Sequence, residues 1–300
     1  MGVCSLRNIS NHHGEGRITV NVAIIGSKSW IAGDLAKRLP YNLSLFHRGN
    51  MDQFGTQRHD VIINCIGNAR DQDIVETTVK FDSMILEYMQ NVPDTKYIFF
   101  SSGAAYSFDF GSPVDWHSPA VVDINQIPNR YASAKLMAEL RHRALPDLAI
   151  VDVRLFSYFS ETVNLEAGLL MSQIVKCIKN SLPLNVQTDL MIRDYIGADD
   201  LANLVRKIIK APKVNMAIDV ASKETISVNE LMLEMVESYG LKIVREAPQE
   251  SLKSTTGIKP WYYSENRAYE HFGWEPTLTS LETINLAMSK IFVDKDICLT

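Results

Sequence analysis

Cysteine is scarce and scattered in this 300-residue chain: Cys4, Cys65, Cys177 and Cys298 form no CxxC pair and have no histidine cluster nearby. That excludes a disulfide framework and a zinc site, so no metal is expected, and it favours a reducing, cytoplasmic setting. No apolar run approaches the roughly 20 residues that a membrane span needs. Neither sign of charge dominates. Thirty Lys and Arg against thirty-five Asp and Glu leave a formal net charge of −5, without the broad basic footprint of a nucleic-acid surface. The first eighteen residues, MGVCSLRNISNHHGEGRI, lack the apolar core of a secretory signal and read as a mobile tail in which His12 and His13 are solvated. What is present is 46% hydrophobic and 22% charged, enough for one large or two modest domains with a full core.

From Thr19 the pattern becomes regular. TVNVAIIG (Thr19 to Gly26) is a continuous apolar, β-branched run ending in glycine, as a strand buried on both faces should be. A helix-compatible stretch, Ile31 to Leu39, stops at Pro40. Then come LSLFHR (Leu43 to Arg48), VIINCIG (Val61 to Gly67), KYIFFSS (Lys96 to Ser102) and LAIVDVRLF (Leu148 to Phe156), with helical patterns over Ile74–Met89 and Tyr131–Ala144. Short apolar strands alternating with helices predict an α/β fold, a Rossmann-like doubly wound parallel sheet. After Phe156 the rhythm changes to longer helices, Leu165–Asn180 and Val228–Gly240, with Pro-marked loops and a short strand, Ala217–Ala221. A smaller C-terminal lobe is expected there.

Open parallel sheets bind ligands beyond the carboxyl ends of their strands, so the residues after Ile25, Phe46, Ile66, Phe100 and Leu155 matter most. The first of these turns reads IGSKSWIAG, where small residues let backbone N–H groups and a helix N-terminus approach a pyrophosphate. Gly26, Lys28, Ser29, Trp30 and Ile31 are the candidate cofactor contacts there, joined by Ile66 and Gly67 after the third strand. The second strand ends in His47 and Arg48 with no carboxylate. A missing acid replaced by a base favours NADP, with NAD as the alternative.

Tyr131 and Lys135 form a YxxxK spacing at the start of a helix, which puts the ammonium and the phenol on one face. A neighbouring cation is expected to depress the tyrosine pKa and make the hydroxyl a proton donor and acceptor near neutral pH. Ser102, about thirty residues upstream at the end of a buried strand, can hydrogen-bond a substrate oxygen opposite Tyr131.

These segments resemble the extended short-chain dehydrogenase/reductase superfamily, the NAD(P)-dependent nucleotide-sugar epimerase, dehydratase and reductase group. The likeness runs from Val22 to Ala287 through IGSKSWIAG, DVIINCIG, YIFFSSGAAY, YASAK, VRLFSYFS, RDYIGADDLANLV, VASKETISVNEL and HFGWEPTLTSLE. It implies a Ser102–Tyr131–Lys135 catalytic triad, with Lys135 also holding the nicotinamide ribose. It implies a dinucleotide-binding domain over 19–156 and a substrate lobe over most of 157–300, segments near 195–222 returning to the sheet. Arg193 resembles the family's nucleotide-contacting arginine, its alternative being an ion pair with Asp194 or Asp199. Asp199 and Asp200 read as fixing a loop or capping the helix Leu201–Lys210. Ser157 stands in a substrate-binding position where the family often has Asn. A homodimer through the helices Ile74–Met89 and Tyr131–Ala144 is a further implication.

Three departures stand out. The three-glycine turn is reduced to Gly26, Ser29 and Ala32; the intervening strand and helix before VIINCIG are cut down; and IKPWYYSEN lacks the usual acid after its proline. Gly103 and Ala104, directly after Ser102, cannot move a proton, which argues against 4,6-dehydration. Reduction of a 4-keto-sugar nucleotide is the favoured reading. Epimerisation with tightly held NAD is the alternative, and a catalytically silent Rossmann ligand-binding protein is a second. Trp261, Tyr262 and Tyr263 read as packing aromatics, or as a base-stacking platform.

Overall fold

Continuous apolar runs form the buried parallel strands that the pattern predicts. The computed structural model describes residues 20–106, 110–120, 122, 125, 129–186, 191–245 and 259–293, so the tail with His12 and His13, and also Cys4 and Cys298, lie outside the described residues. The chain runs β1 (Asn21–Ile25), α1 (Trp30–Arg38), β2 (Asn42–Phe46), β3 (Val61–Asn64), α2 (Ile74–Asn91), β4 (Lys96–Ser102), α3 (Arg130–Arg143) and β5 (Ala149–Leu155). It continues through β6 (Ser157–Tyr158), α4 (Leu170–Asn180), β7 (Pro183–Asn185), β8 (Ile192–Arg193), β9 (Tyr195–Ile196), α5 (Ala198–Lys210) and β10 (Asn215–Val220). Last come β11 (Ile226–Ser227), α6 (Val228–Tyr239), β12 (Lys242–Val244), β13 (Trp261–Tyr262) and α7 (Ser280–Phe292).

Six strands make one sheet in the order β10-β5-β4-β3-β1-β2, every pair parallel. Strand order reverses between β1 and β3, and the carboxyl ends of strands at such a switch point form the ligand crevice. This is the doubly wound, Rossmann-like architecture expected, with a C-terminal lobe of helices and short strands. Only a single 3-10 turn (Met51–Gln53) lies between β2 and β3, as the short spacing predicts, so β2 is the edge strand. Among the described residues no helix is long and apolar enough to cross a membrane.

Side-chain alternation assigns the two faces. On β1, Val22 and Ile24 join Leu35, Leu201, Val205 and Ile208 beneath α1 and α5. Ala23 and Ile25 join Ile85, Met89 and Ala138 beneath α2 and α3. Each large aliphatic side chain removed from water here contributes roughly 1.5–3 kcal/mol. A separate core of Phe159, Met171, Ile174, Leu231, Met235, Ile284 and Met288 sits in the C-terminal lobe. Its α4 begins at Leu170, five residues later than the pattern predicts. Gly168 explains the delay: it adopts φ +68°, and the Arg70 guanidinium occupies the space of its absent Cβ. Similarly, α5 begins at Ala198 with Gly197 as its cap, while Asp200 fixes a loop by accepting from Thr277 and Leu278.

The α2/α3 face also buries a charged layer. His142 lies 2.6 Å from Asp152 through Nδ1 and 2.8 Å from Asp82 through Nε2, joining α3 to β5 and α2. Arg141 and Arg143 take the second oxygens of these carboxylates, at 2.8 and 2.7 Å. Burial opposes the imidazolium, but the bonds and charges of Asp152 and Asp82 outweigh it and push its pKa up to about 9. His59 is the converse case. Its ring is buried between Phe54 and Phe46, neither nitrogen has a partner, and burial holds its pKa below the usual value.

The two histidines set opposite limbs of a stability profile. His142 holds its proton more tightly folded than unfolded, so its contribution, on the order of 3 kcal/mol, is complete below the unfolded value and lost as pH rises through 9. His59 excludes its proton when folded, so its contribution is present above the unfolded value and lost on acidification. Denaturant titrations from pH 5 to 10 are expected to peak in the neutral range. His142→Gln should flatten the alkaline limb and His59→Phe the acid limb.

Candidate active site

The crevice starts at the turn after β1. The N–H groups of Gly26 and Ser27 both donate to the Phe46 carbonyl at 3.0 Å, folding the turn over the end of β2. Gly26 adopts φ +79°, and an added Cβ would stand 3.0 Å from the Cys65 carbonyl carbon and the Ile66 nitrogen. Only glycine allows β1 and β3 to approach this closely. Ser29, in place of a glycine, caps α1 by accepting from the Ala32 N–H at 3.2 Å. Trp30 packs on Tyr158, its ring centroid 5.9 Å away, and Ile31 packs against the sheet core, so both side chains turn inward. Lys28 is exposed.

Across the switch point, β4 delivers Ser102 and the first two turns of α3 deliver Tyr131 and Lys135. Asn129 starts that helix by accepting from the Ala132 N–H at 3.1 Å. Ser102 stands beside the Tyr131 phenol, near enough for its hydroxyl to lower the phenol pKa. Lys135 is buried and donates to the Ile66 carbonyl at 2.8 Å and the Phe100 carbonyl at 2.6 Å. Its Nζ stands 4.5 Å from the Phe99 ring centroid and 5.7 Å from that of Tyr131. Gly67 makes room for it, since a Cβ there would be 2.7 Å from Nζ. Sequence spacing therefore brings together Ser102, Tyr131, Lys135, Ile66 and Gly67.

The electrostatics differ from the expectation that Lys135 would acidify Tyr131. Burial raises the phenol pKa above its usual value, with the Ser102 hydroxyl opposing it. The ammonium is committed to two carbonyls, and its own pKa is lowered by burial to about 8.

Two residues outside the motifs complete the site. The Tyr262 hydroxyl lies 3.3 Å from Ser102 Oγ, while its ring packs on Phe110 and Phe156. Tyr262 thus packs as expected while its hydroxyl reaches Ser102, whereas Trp261 is exposed and packs on Tyr263. Lys259 stands 4.4 Å from the Tyr262 ring centroid, its pKa lowered to about 8 by burial and the Arg193 charge. Arg193 lies 5.9 Å from the same centroid and donates to the carbonyls of Ile192 and Lys259 at 2.8 and 2.7 Å. The alternative ion pairs for Arg193 are not formed: Asp194 accepts from the Ser222 N–H, and Asp199 pairs with Arg38. No carboxylate among the described residues pairs with Lys259 or Arg193. Tyr262 is 160 positions from Ser102; the sequence marks it as one of an aromatic cluster, but nothing local announces its contact with Ser102 or the place of Lys259. Ser157 is half-buried on β6, next in sequence to Phe156, whose ring fills the space at Gly103, where a Cβ would be 2.5 Å from it.

A family model described as the NAD dependent epimerase/dehydratase family matches residues 18–221, more than half of the chain. The chain belongs to that family. No curated protein matches it. Among solved structures, a UDP-glucose 4-epimerase from Thermotoga maritima with UDP-glucose has a TM-score of 0.75 at 14% identity, covering 92% of this chain and 99% of that one. A dTDP-glucose 4,6-dehydratase from Bacillus anthracis in complex with NAD has a TM-score of 0.74 at 13% identity, covering 93% and 98%. A UDP-glucose 4-epimerase from Bifidobacterium longum with NAD+ and UDP has a TM-score of 0.73 at 17% identity, covering 92% and 99%. At these identities the likeness is one of fold.

The NADP preference drawn from His47 and Arg48 is overturned: the dinucleotide in the Bacillus anthracis and Bifidobacterium longum complexes is NAD. The structure supplies the physical reason. Arg48 is not a free cation but lies 3.0 Å from the Asp71 carboxylate, and His47 Nδ1 accepts from the Gly49 N–H at 3.0 Å.

Gly67→Ala is expected to drive Lys135 off the Ile66 and Phe100 carbonyls. Turnover should fall at least tenfold while circular dichroism stays that of the parent; unchanged turnover would show that the Lys135 position does not matter.

Proposed function

We propose that this chain is an NAD-dependent epimerase acting on a nucleoside-diphosphate sugar. The observation that carries it is the meeting of the Ser102 and Tyr131 hydroxyls with a buried Lys135 ammonium at the carboxyl ends of β3 and β4. Burying an ammonium without a paired carboxylate is costly, and a silent binding module has no use for that cost beside a phenol. The reductase reading rests on the eroded glycine turn and on basic Arg48, and the second of these falls with the NADP preference, since Arg48 is paired with Asp71. Gly103 weighs against dehydration more firmly than its lack of a proton does, because the Phe156 ring leaves no room there for a side chain.

The glycine cradle at Gly26 and Gly67 fits a dinucleotide laid across the switch point, with the start of α1 toward its pyrophosphate. The nicotinamide, when bound, supplies hydride acceptance and return. Tyr131 takes the sugar hydroxyl proton and returns it, while Ser102 orients that oxygen. Lys135, through its hold on the Ile66 and Phe100 carbonyls, seats α3 and so positions the phenol. Arg193 and Lys259, both cationic, half-buried and without a carboxylate partner among the described residues, fit the substrate diphosphate, since a desolvated cation gains most from a charged acceptor.

With UDP-glucose and its N-acetylated counterpart as probes, interconversion of 4-epimers without net consumption of NADH is the expected result. Tyr131→Phe should lose 10²–10⁴-fold in kcat while still binding NADH by fluorescence titration. Arg193→Ala should act mainly on KM. A Tyr131→Phe variant with parental turnover would sink the proposal, and a parent chain that leaves both 4-epimers unchanged but oxidises NADH in step with reduction of a 4-keto-sugar nucleotide would be a reductase instead.

A further inference from the structure

A carboxylate reaches the end of β2 from a loop on the far side of β1. Arg48 lies two residues past β2, and Asp71 lies in the loop from β3 to α2. Because β1 separates β2 from β3 in the sheet, their 3.0 Å ion pair bridges the mouth of the crevice, from one side of the glycine turn to the other.

The two partners are not equivalent. The Asp71 side chain is 23% exposed and that of Arg48 is 73% exposed. Asp71 is also anchored. Its Oδ1 accepts from the Asp73 N–H at 3.1 Å, its own N–H donates to the Asn68 carbonyl at 2.9 Å, and its carbonyl accepts from the Ile74 N–H. The carboxylate is held in place by its loop, and the long arginine side chain reaches to it. Exposed ion pairs contribute little to folding, so the consequence of this one lies in the charge it presents to a ligand.

A 2′-phosphate is read by an uncovered cation and a 2′-hydroxyl by a carboxylate. With its guanidinium already engaged, Arg48 offers a phosphate only part of its charge, and Asp71 repels the phosphate outright. We propose that Asp71 is the residue that makes this chain select NAD over NADP, taking from the β3–α2 loop the role that an acid at the end of β2 usually fills. The proposal rests on the dinucleotide reading above and adds the residue that decides the choice.

The test is fluorescence titration of NADH and NADPH against the full chain, Asp71→Asn, Arg48→Ala and the double variant, with circular dichroism for each. Asp71→Asn should raise the NADPH-to-NADH affinity ratio at least tenfold, and the double variant should lose most of that gain. In Arg48→Ala, with Asp71 left facing the 2′ position alone, the ratio should fall about fivefold or more; this arm decides the matter if Asp71→Asn does not fold. A ratio within twofold of the parent in the folded variants overturns the role of Asp71 while leaving the dinucleotide reading intact, and so does a gain that persists in the double variant. A parent chain that binds neither NADH nor NADPH overturns both.

Discussion

The Lys135 ammonium is fastened to the carbonyls of Ile66 and Phe100, at the ends of two adjacent parallel strands. Parallel strands leave such carbonyls unpaired where the ladder ends, and a cation that satisfies both fixes the spacing of the strand termini. Because Lys135 comes from the first turns of α3, the same contact seats that helix and so places Tyr131. Gly67 must stay bare for the amine to fit. The Tyr131 phenol and the Ser102 hydroxyl beside it thus share one anchor, and the pKa near 8 is the cost of putting the charge there.

The two faces of the sheet are built on different chemistry. Beneath α1 and α5 the packing is aliphatic. Beneath α2 and α3 a chain of ionic contacts runs from Asp82 through His142 to Asp152, and a second runs from Ser101 through Glu139 and Arg154 to Asp219 and Tyr106. Buried pairs of this kind are weak sources of net stability but lose much when one member is removed. They hold α3 at a fixed angle to β4 and β5, which matters because α3 carries the tyrosine. Lys96 makes a comparable tie on the other face, its ammonium donating to the Ile208, Ile209 and Ala211 carbonyls at the end of α5.

How much of this was legible in the sequence follows from the range of each interaction. Strands buried on both faces read as unbroken apolar runs, so β1, β3, β4 and β5 were visible directly, and the YxxxK spacing is a within-helix relation that needs no tertiary knowledge. Element ends were less visible. The late start of α4 depends on Arg70 filling the space at Gly168, a contact between distant loops. Arg48 was read as a free cation because its partner lies beyond another strand, and a lone arginine carries no mark of being paired. Tyr262 and Lys259 reach the cleft from the far end of the chain. The acidity of Tyr131 went astray for a different reason: helical adjacency to Lys135 is real, but the direction of the amine is set by carbonyls of other strands.

The ring of Phe156 lying against bare Gly103 also constrains descent. Any replacement at Gly103 by a larger residue collides with an aromatic already in place, and shrinking Phe156 first would open a void in the wall that supports Tyr262. Neither single change is tolerable without the other. A lineage carrying this pair is shut out from acquiring a proton-moving side chain at that position by stepwise substitution, so its chemistry can diversify through the loops above the cleft far more readily than through the strand end beneath it.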